Sequence, residues 1–217
     1  MPESTPVAVI GVGHMGRHHA RLYSEMPEAE LVAVVDRRLD RAQEIAAKFH
    51  TEAFPSLDEL PARVAAASVA VPTSAHRAVA EALLARGVAV LVEKPLALTM
   101  DDGRKLVEFA DRSGVLLSVG HTERFNPVVR ALRRLEIEPR FIETDRISPF
   151  SFRSADIGVV ADMMIHDLDV LLHLMERGAE RRRPKVTRVD AVGVSVLGPH
   201  EDVVNARIEF ENGTVAN

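Results

Sequence analysis

The chain has 217 residues, 47% of them apolar and 27% charged, with 32 acids against 27 bases for a formal net charge of -5. At this length folding buries roughly 70% of the extended-chain surface, so a core needs no disulfide or structural metal to hold it. The absence of cysteine excludes thiol nucleophiles, iron-sulfur clusters and zinc fingers, and an acidic chain with eight phenylalanines, one tyrosine and no tryptophan offers neither a nucleic-acid footprint nor a base-stacking platform.

In chain order, short β-branched runs at 7–10, 31–35, 68–71, 89–92 and 116–119 alternate with helical patterns at 15–25, 39–49, 74–86 and 99–113. Such alternation predicts parallel strands joined by helical crossovers, and the scarcity of polar residues in the strands predicts a sheet buried on both faces. Thr99, followed by Asp101 and Asp102, has the pattern of an N-cap with acids at the positive end of the helix dipole. None of the apolar runs nears the ~20 residues of a membrane-spanning helix. Met1-Pro2-Glu3-Ser4 lacks a basic lead-in, so no signal peptide and a cytoplasmic location are expected.

Beyond Gly120 the texture changes. Asn126 and Pro127 open a short helix to about 135, 141–147 reads as a strand, 159–175 as a helix, and 186–196 and 203–210 as long strands. Asn212-Gly213 gives a strong hairpin signal close to Asn217, and the second sheet is therefore expected to be incomplete at its C-terminal side. The expected fold class is α/β: a doubly wound parallel sheet over 1–121, then an α+β domain over 122–217 with an open, largely antiparallel sheet.

Gly11-Val12-Gly13-His14-Met15-Gly16 follows a buried strand and opens a helix. In that context the first glycine permits a tight turn, the second lets backbone approach a pyrophosphate, and the third allows close helix–strand packing, with phosphates on the free amides of the helix start. Asp36 closes the second strand 20 residues past Gly16, where a carboxylate accepts both ribose hydroxyls of an adenosine and repels a 2′-phosphate. That favours NAD over NADP, although Arg37 beside it supplies a guanidinium suited to the phosphate. The plainer alternative is a tight turn with an exposed acid.

Glu93-Lys94-Pro95 ends the 89–92 strand at the edge where ligands of open α/β sheets lie, so Lys94 is expected to aim its ammonium into a cofactor crevice. An exposed Glu93–Lys94 ion pair is the bland reading. Asp162, His166 and Asp169, at i, i+4 and i+7, share one face of an otherwise apolar helix. Acid–base chemistry, with Asp162 or Asp169 orienting His166, would explain that stripe; a metal site lacks an evident third ligand, and a solvated helix pair is the alternative. His18 and His19 read as surface or packing residues, and Arg181-Arg182-Arg183 as a solvated loop.

Taken in order, Gly11 to Gly16, Asp36, Val71-Pro72-Thr73 with His76, Glu93-Lys94-Pro95, Gly120 to Pro127, and Asp162-Met163-Met164-Ile165-His166-Asp167 resemble the Gfo/Idh/MocA family of sugar and polyol oxidoreductases over essentially the whole chain. Residues 120–127 and 146–153 look most like its UDP-N-acetylglucosamine 3-dehydrogenase group. The resemblance implies an N-terminal Rossmann domain and a C-terminal domain whose open sheet packs against substrate and often another subunit, hence a homo-oligomer. It assigns Gly11, Gly13, His14, Met15, Gly16, Asp36 and Arg37 to the dinucleotide. Pro72, Thr73, His76 and Glu93 fall on the wall around it, Lys94 on both the cofactor and the catalytic set, and Asp162 and His166 on the catalytic set. Arg124, Asn126, Arg153, Asp162 and His166 go to the substrate, and no metal is implied. One departure is that Ile157 precedes Gly158 where many members carry paired glycines.

The resulting expectation is hydride transfer between nicotinamide (NAD, or NADP) and a sugar hydroxyl, C3 of a UDP-N-acetylamino sugar. His166 would act as base, Lys94 would stabilise the developing alkoxide, and Asp162 would orient the imidazole or the sugar. Arg146 or Arg153 would grip the diphosphate through bidentate contact. The substrate is then a small molecule, with no nucleic acid or membrane involved. The alternatives are an inositol-type polyol or free-sugar dehydrogenase of the same family, and a dinucleotide-binding protein without turnover.

Overall fold

The computed structural model describes residues 4–135, 137–149, 157–176 and 182–217. Two compact units divide at Gly120 and His121. In the first, β1 (Thr5–Ile10), β2 (Ala29–Val35), β3 (Glu52–Phe54), β4 (Ala66–Val69), β5 (Ala89–Val92) and β6 (Leu117–Val119) form one sheet in the order β3-β2-β1-β4-β5-β6. Every pairing is parallel. Helices α1 (Gly16–Glu25), α2 (Leu39–Phe49), α3 (Thr73–Leu84) and α4 (Met100–Ser113) lie between successive strands in the chain. This order reverses direction between β1 and β4, so the carboxyl ends of all six strands share one edge, with the switch point at its centre.

Alternation along the strands feeds two cores. Ala8 and Ile10 of β1 face one layer, Val9 the other. Val9, Val34, Val69 and Val92, one from each of four adjacent strands, are fully shielded, as are Leu83 of α3 and Leu106 of α4. Each such side chain contributes roughly 1.5–3 kcal/mol by leaving water. The expected cap is present: Thr99 Oγ1 accepts from the Asp102 amide at 3.1 Å. Strand β3 has no sequence signal, since Glu52-Ala53-Phe54 is too short to show a period; it forms because Ala33–Val35 of β2 offers it a ladder.

The second unit begins with a 3-10 turn, Thr122–Phe125, and α5 (Pro127–Arg134), capped by Asn126 Oδ1 accepting from the Val128 amide at 3.0 Å. A π-helical turn, Val160–Met164, runs into α6 (Ile165–Met175). Strands β7 (Phe141–Ile142), β8 (Val186–Val194), β9 (Val203–Phe210) and β10 (Val215–Ala216) make a mixed sheet in the order β7-β10-β9-β8. Gly213, at φ +79°, turns β9 back into β10, as the Asn-Gly pair predicts. Leu171 and Met175 of α6 pack on Phe210 and Ala216. Of the strand expected at 141–147, Phe141–Ile142 forms, paired with β10.

Candidate active site

At the carboxyl edge of the first sheet, the loop after β1 is shaped by three different demands on glycine. Gly11, at φ +84°, would place a Cβ 2.7 Å from the Ala70 carbonyl oxygen, and a Cβ on Gly16 would overlap the carbonyl of Gly11. Those two positions answer to the chain's own packing. Gly13 does not: its Cβ would meet nothing nearer than Arg41 Nη1 at 3.9 Å. Beside the start of α1 there is thus a cradle that a side chain would fill, and it fits the pyrophosphate of a dinucleotide. His14 and Met15 are exposed on the same loop, where His14 Nδ1 accepts from Arg17 at 3.1 Å.

Asp36 is fixed against this loop. Its Oδ2 accepts from the Val12 amide at 3.0 Å and its Oδ1 from the Arg38 amide at 2.9 Å, which holds the carboxylate against the loop after β1. The guanidinium near it is Arg41, in the first turn of α2, with Nη1 3.7 Å from Asp36 Oδ2. Arg37, the neighbour expected from sequence, is exposed.

The end of β5 departs from the plain reading of an exposed ion pair. Glu93 is buried, and its Oε1 accepts from His19 Nε2 at 2.8 Å. His19 Nδ1 lies 2.9 Å from Ser68 Oγ, which is 2.7 Å from the Tyr23 hydroxyl. Burial pushes the Glu93 carboxyl up, but the hydrogen bond and charge of His19, with the Lys94 amide and charge, outweigh it and hold it below the usual carboxylate range. Lys94 is half-buried beside it. His76 is enclosed, its Nδ1 2.9 Å from the Pro95 carbonyl and its Nε2 2.9 Å from the Val71 carbonyl. It therefore ties the loops after β4 and β5 together, while Pro72 and Thr73 present the outer surface of that wall. His19, read from sequence as a surface or packing residue, is the residue the linear pattern missed.

In the second unit, Asp162 sits in the π-helical turn and His166 one turn on in α6, both half-buried. Such turns recur at functional sites because they re-aim side chains out of the α-helical register. Asp162 lines a cavity of about 300 Å³ with Ser148, Met163, His200 and Glu201. Gly158 is where the Glu201 carboxylate crosses the chain; a Cβ there would overlap it, which gives this glycine a local reason.

Asp169, on the same helical face, has a partner outside α6. It is buried and takes a bidentate pair from Arg124, Nε at 2.7 Å and Nη2 at 2.6 Å, tying the 3-10 turn to α6. Asn126, besides capping α5, donates to Glu123 at 3.2 Å. Arg146, expected on a diphosphate, is bidentate to Asp167 at 2.8 and 2.9 Å. Arg153 lies outside the described residues. Among the described residues, no group of three or more His, Asp or Glu is arranged to hold a metal, and no helix is long and apolar enough to cross a membrane.

A doubly wound parallel sheet with an open glycine cradle at its switch point and a carboxylate on the neighbouring strand defines a dinucleotide-binding oxidoreductase fold. Residues 5–121 match the Gfo/Idh/MocA oxidoreductase family with its NAD-binding Rossmann fold, and the chain belongs to that family. It is 42% identical over 210 residues to a UDP-N-acetylglucosamine 3-dehydrogenase of Acidithiobacillus ferrooxidans, covering 96% of this chain and 64% of that protein. The solved structure of that enzyme superposes with a TM-score of 0.89, covering 99% of this chain and 68% of the other at 39% identity. A scyllo-inositol 2-dehydrogenase (NAD(+)) of Bacillus subtilis is 29% identical over 238 residues, 100% of this chain and 67% of that one. The structure of GenD2 from gentamicin A biosynthesis, in complex with NAD, matches with a TM-score of 0.84 at 28% identity, over 100% of this chain and 65% of the other. The chain thus spans about two thirds of the length of the relatives it matches.

Proposed function

We propose that this protein is an NAD-dependent dehydrogenase of the 3-hydroxyl of a UDP-N-acetylamino sugar. The observation that carries this reading is the 42% identity, sustained across 96% of the chain, with an enzyme of that activity. The dinucleotide lies along Gly11, Gly13, His14, Met15 and Gly16, with its adenosine ribose on Asp36, and with Arg37, Pro72, Thr73 and Glu93 about it. Bound there, the nicotinamide supplies the hydride acceptor. His166 takes the hydroxyl proton on an imidazole nitrogen, since hydride leaves carbon only as that proton departs. Asp162 fixes the imidazole or a neighbouring sugar hydroxyl, and the Lys94 ammonium stabilises the developing alkoxide. Arg124 and Asn126, already tied within the second unit, shape the substrate side, and Arg153 meets the diphosphate.

Association between copies through the second sheet is part of the same reading. Val192, Val194 and Val203 are exposed on one face of β8 and β9, an arrangement that favours being covered. A cytoplasmic location accords with use of a soluble nicotinamide pool.

The test is nicotinamide absorbance with UDP-N-acetylglucosamine, free N-acetylglucosamine, glucose and myo-inositol. Turnover is expected with the UDP-sugar, and Lys94→Ala and His166→Ala are each expected to lower it about 10²–10⁴-fold while leaving NAD affinity within a few-fold. Preference for inositol would favour the polyol reading, and undiminished turnover in both variants would remove the assigned roles.

A further inference from the structure

Four polar side chains from three elements meet under the end of β5: Tyr23 and His19 from α1, Ser68 from β4, and Glu93. Ser68 is fully enclosed and Glu93 nearly so. These side chains form one continuous hydrogen-bonded chain. Nε2–H of His19 donates to Glu93, Nδ1 pairs with the Ser68 hydroxyl, and that hydroxyl pairs in turn with the Tyr23 hydroxyl.

On its other side the Glu93 carboxylate lies against bare backbone. A Cβ on Gly120 would come within 3.2 Å of Glu93 Oε1 and 3.4 Å of Oε2. The Lys94 amide reaches Glu93 Oε2 at 3.3 Å. A buried carboxylate that loses its donor must find water or a proton.

We propose that His19 is a positioning residue for Lys94, clamping the buried Glu93 carboxylate under the end of β5 so that the carboxylate holds the Lys94 backbone rather than turning into the crevice. This rests on the reading of Lys94 as a catalytic residue, and it extends the site to a helix residue 74 positions from its partner.

The two ring nitrogens allow a clean test. A glutamine amide nitrogen falls near the place of Nε2 and can restore the bond to Glu93, whereas an asparagine nitrogen falls near Nδ1 and reaches only Ser68. In the whole protein, exchange of the Lys94 amide by ¹⁵N NMR is expected to quicken in His19→Leu and His19→Asn and to return toward wild type in His19→Gln. Turnover should fall about 10–100-fold in the first two, with the KM for NAD changed much less, and recover in the third. If the leucine variant does not fold, the asparagine–glutamine pair carries the comparison. Equal exchange in wild type, His19→Asn and His19→Gln would overturn the proposal. Exchange needs no substrate, so the expected exchange pattern in a protein that oxidises none of the sugars would uphold the clamp and reject the dehydrogenase reading instead.

Discussion

Glu93 is a carboxylate held ionised in a place that disfavours charge, and its titration is measurable. Its carboxyl is depressed in the folded protein by the His19 hydrogen bond and Lys94 in spite of burial. A depressed folded value means that ionised Glu93 contributes stability above the unfolded value, near pH 4.3, and that this contribution is lost as pH falls through the folded one. The Glu93→Gln variant is therefore expected to be less stable than wild type at neutral pH and to lose less stability on acidification below about pH 4.5. Thermal unfolding followed by circular dichroism from pH 3 to 7 checks this, and parallel curves for the two proteins would contradict it. At this scale the glycine loop and Asp36 were legible because their meaning lies in spacing within one strand–turn–helix unit. The His19–Glu93 bond was not, because nothing local in α1 marks one histidine of the His18-His19 pair as inward-facing.

Among elements, the Arg124–Asp169 pair joins the 3-10 turn to α6. Asp169 is buried and Arg124 partly so, and removing one partner leaves a charge out of reach of full hydration. Arg124→Ala is expected to cost roughly 2–3 kcal/mol of stability, and Arg124→Leu with Asp169→Leu together less than the sum of the single changes. Urea denaturation of the four proteins in that cycle measures it; strict additivity would show that the pair is not coupled. The turn between β8 and β9 is held similarly by Asp202, whose carboxyl is kept low by amides of Leu197 and Val196 against burial, helped by Gly198. The spacing of Asp162, His166 and Asp169 puts them on one helical face, open to acid–base chemistry or to a solvated pair. In the structure Asp169 pairs with Arg124, 45 residues away, and Asp162 lies in a π-helical turn ahead of α6. Neither a distant partner nor a change of helical pitch has a signature in the helix's own sequence.

For the molecule as a whole, the first unit contains every strand and both covering layers of the Rossmann sheet, together with the Gly11–Gly16 loop and Asp36. Residues 1–120 expressed alone are expected to unfold cooperatively and to bind NAD within about tenfold of the whole protein, a difference of about 1.4 kcal/mol. Calorimetric titration and circular dichroism decide it, and an uncooperative fragment would mean that the second unit is needed to complete the first.

By itself, the sequence determined the parallel sheet, the glycine cradle, the two caps at Thr99 and Asn126 and the hairpin at Gly213, since each follows from a periodicity or a backbone demand satisfied within a few neighbouring residues. Tertiary structure alone decided which charged groups are partners. Arg41 rather than Arg37 approaches Asp36, Arg124 takes Asp169, Arg146 takes Asp167, and His19 takes Glu93. Such pairings depend on which side chains burial brings within hydrogen-bonding distance, and burial is set by the packing of whole elements rather than by the residues that flank each charge.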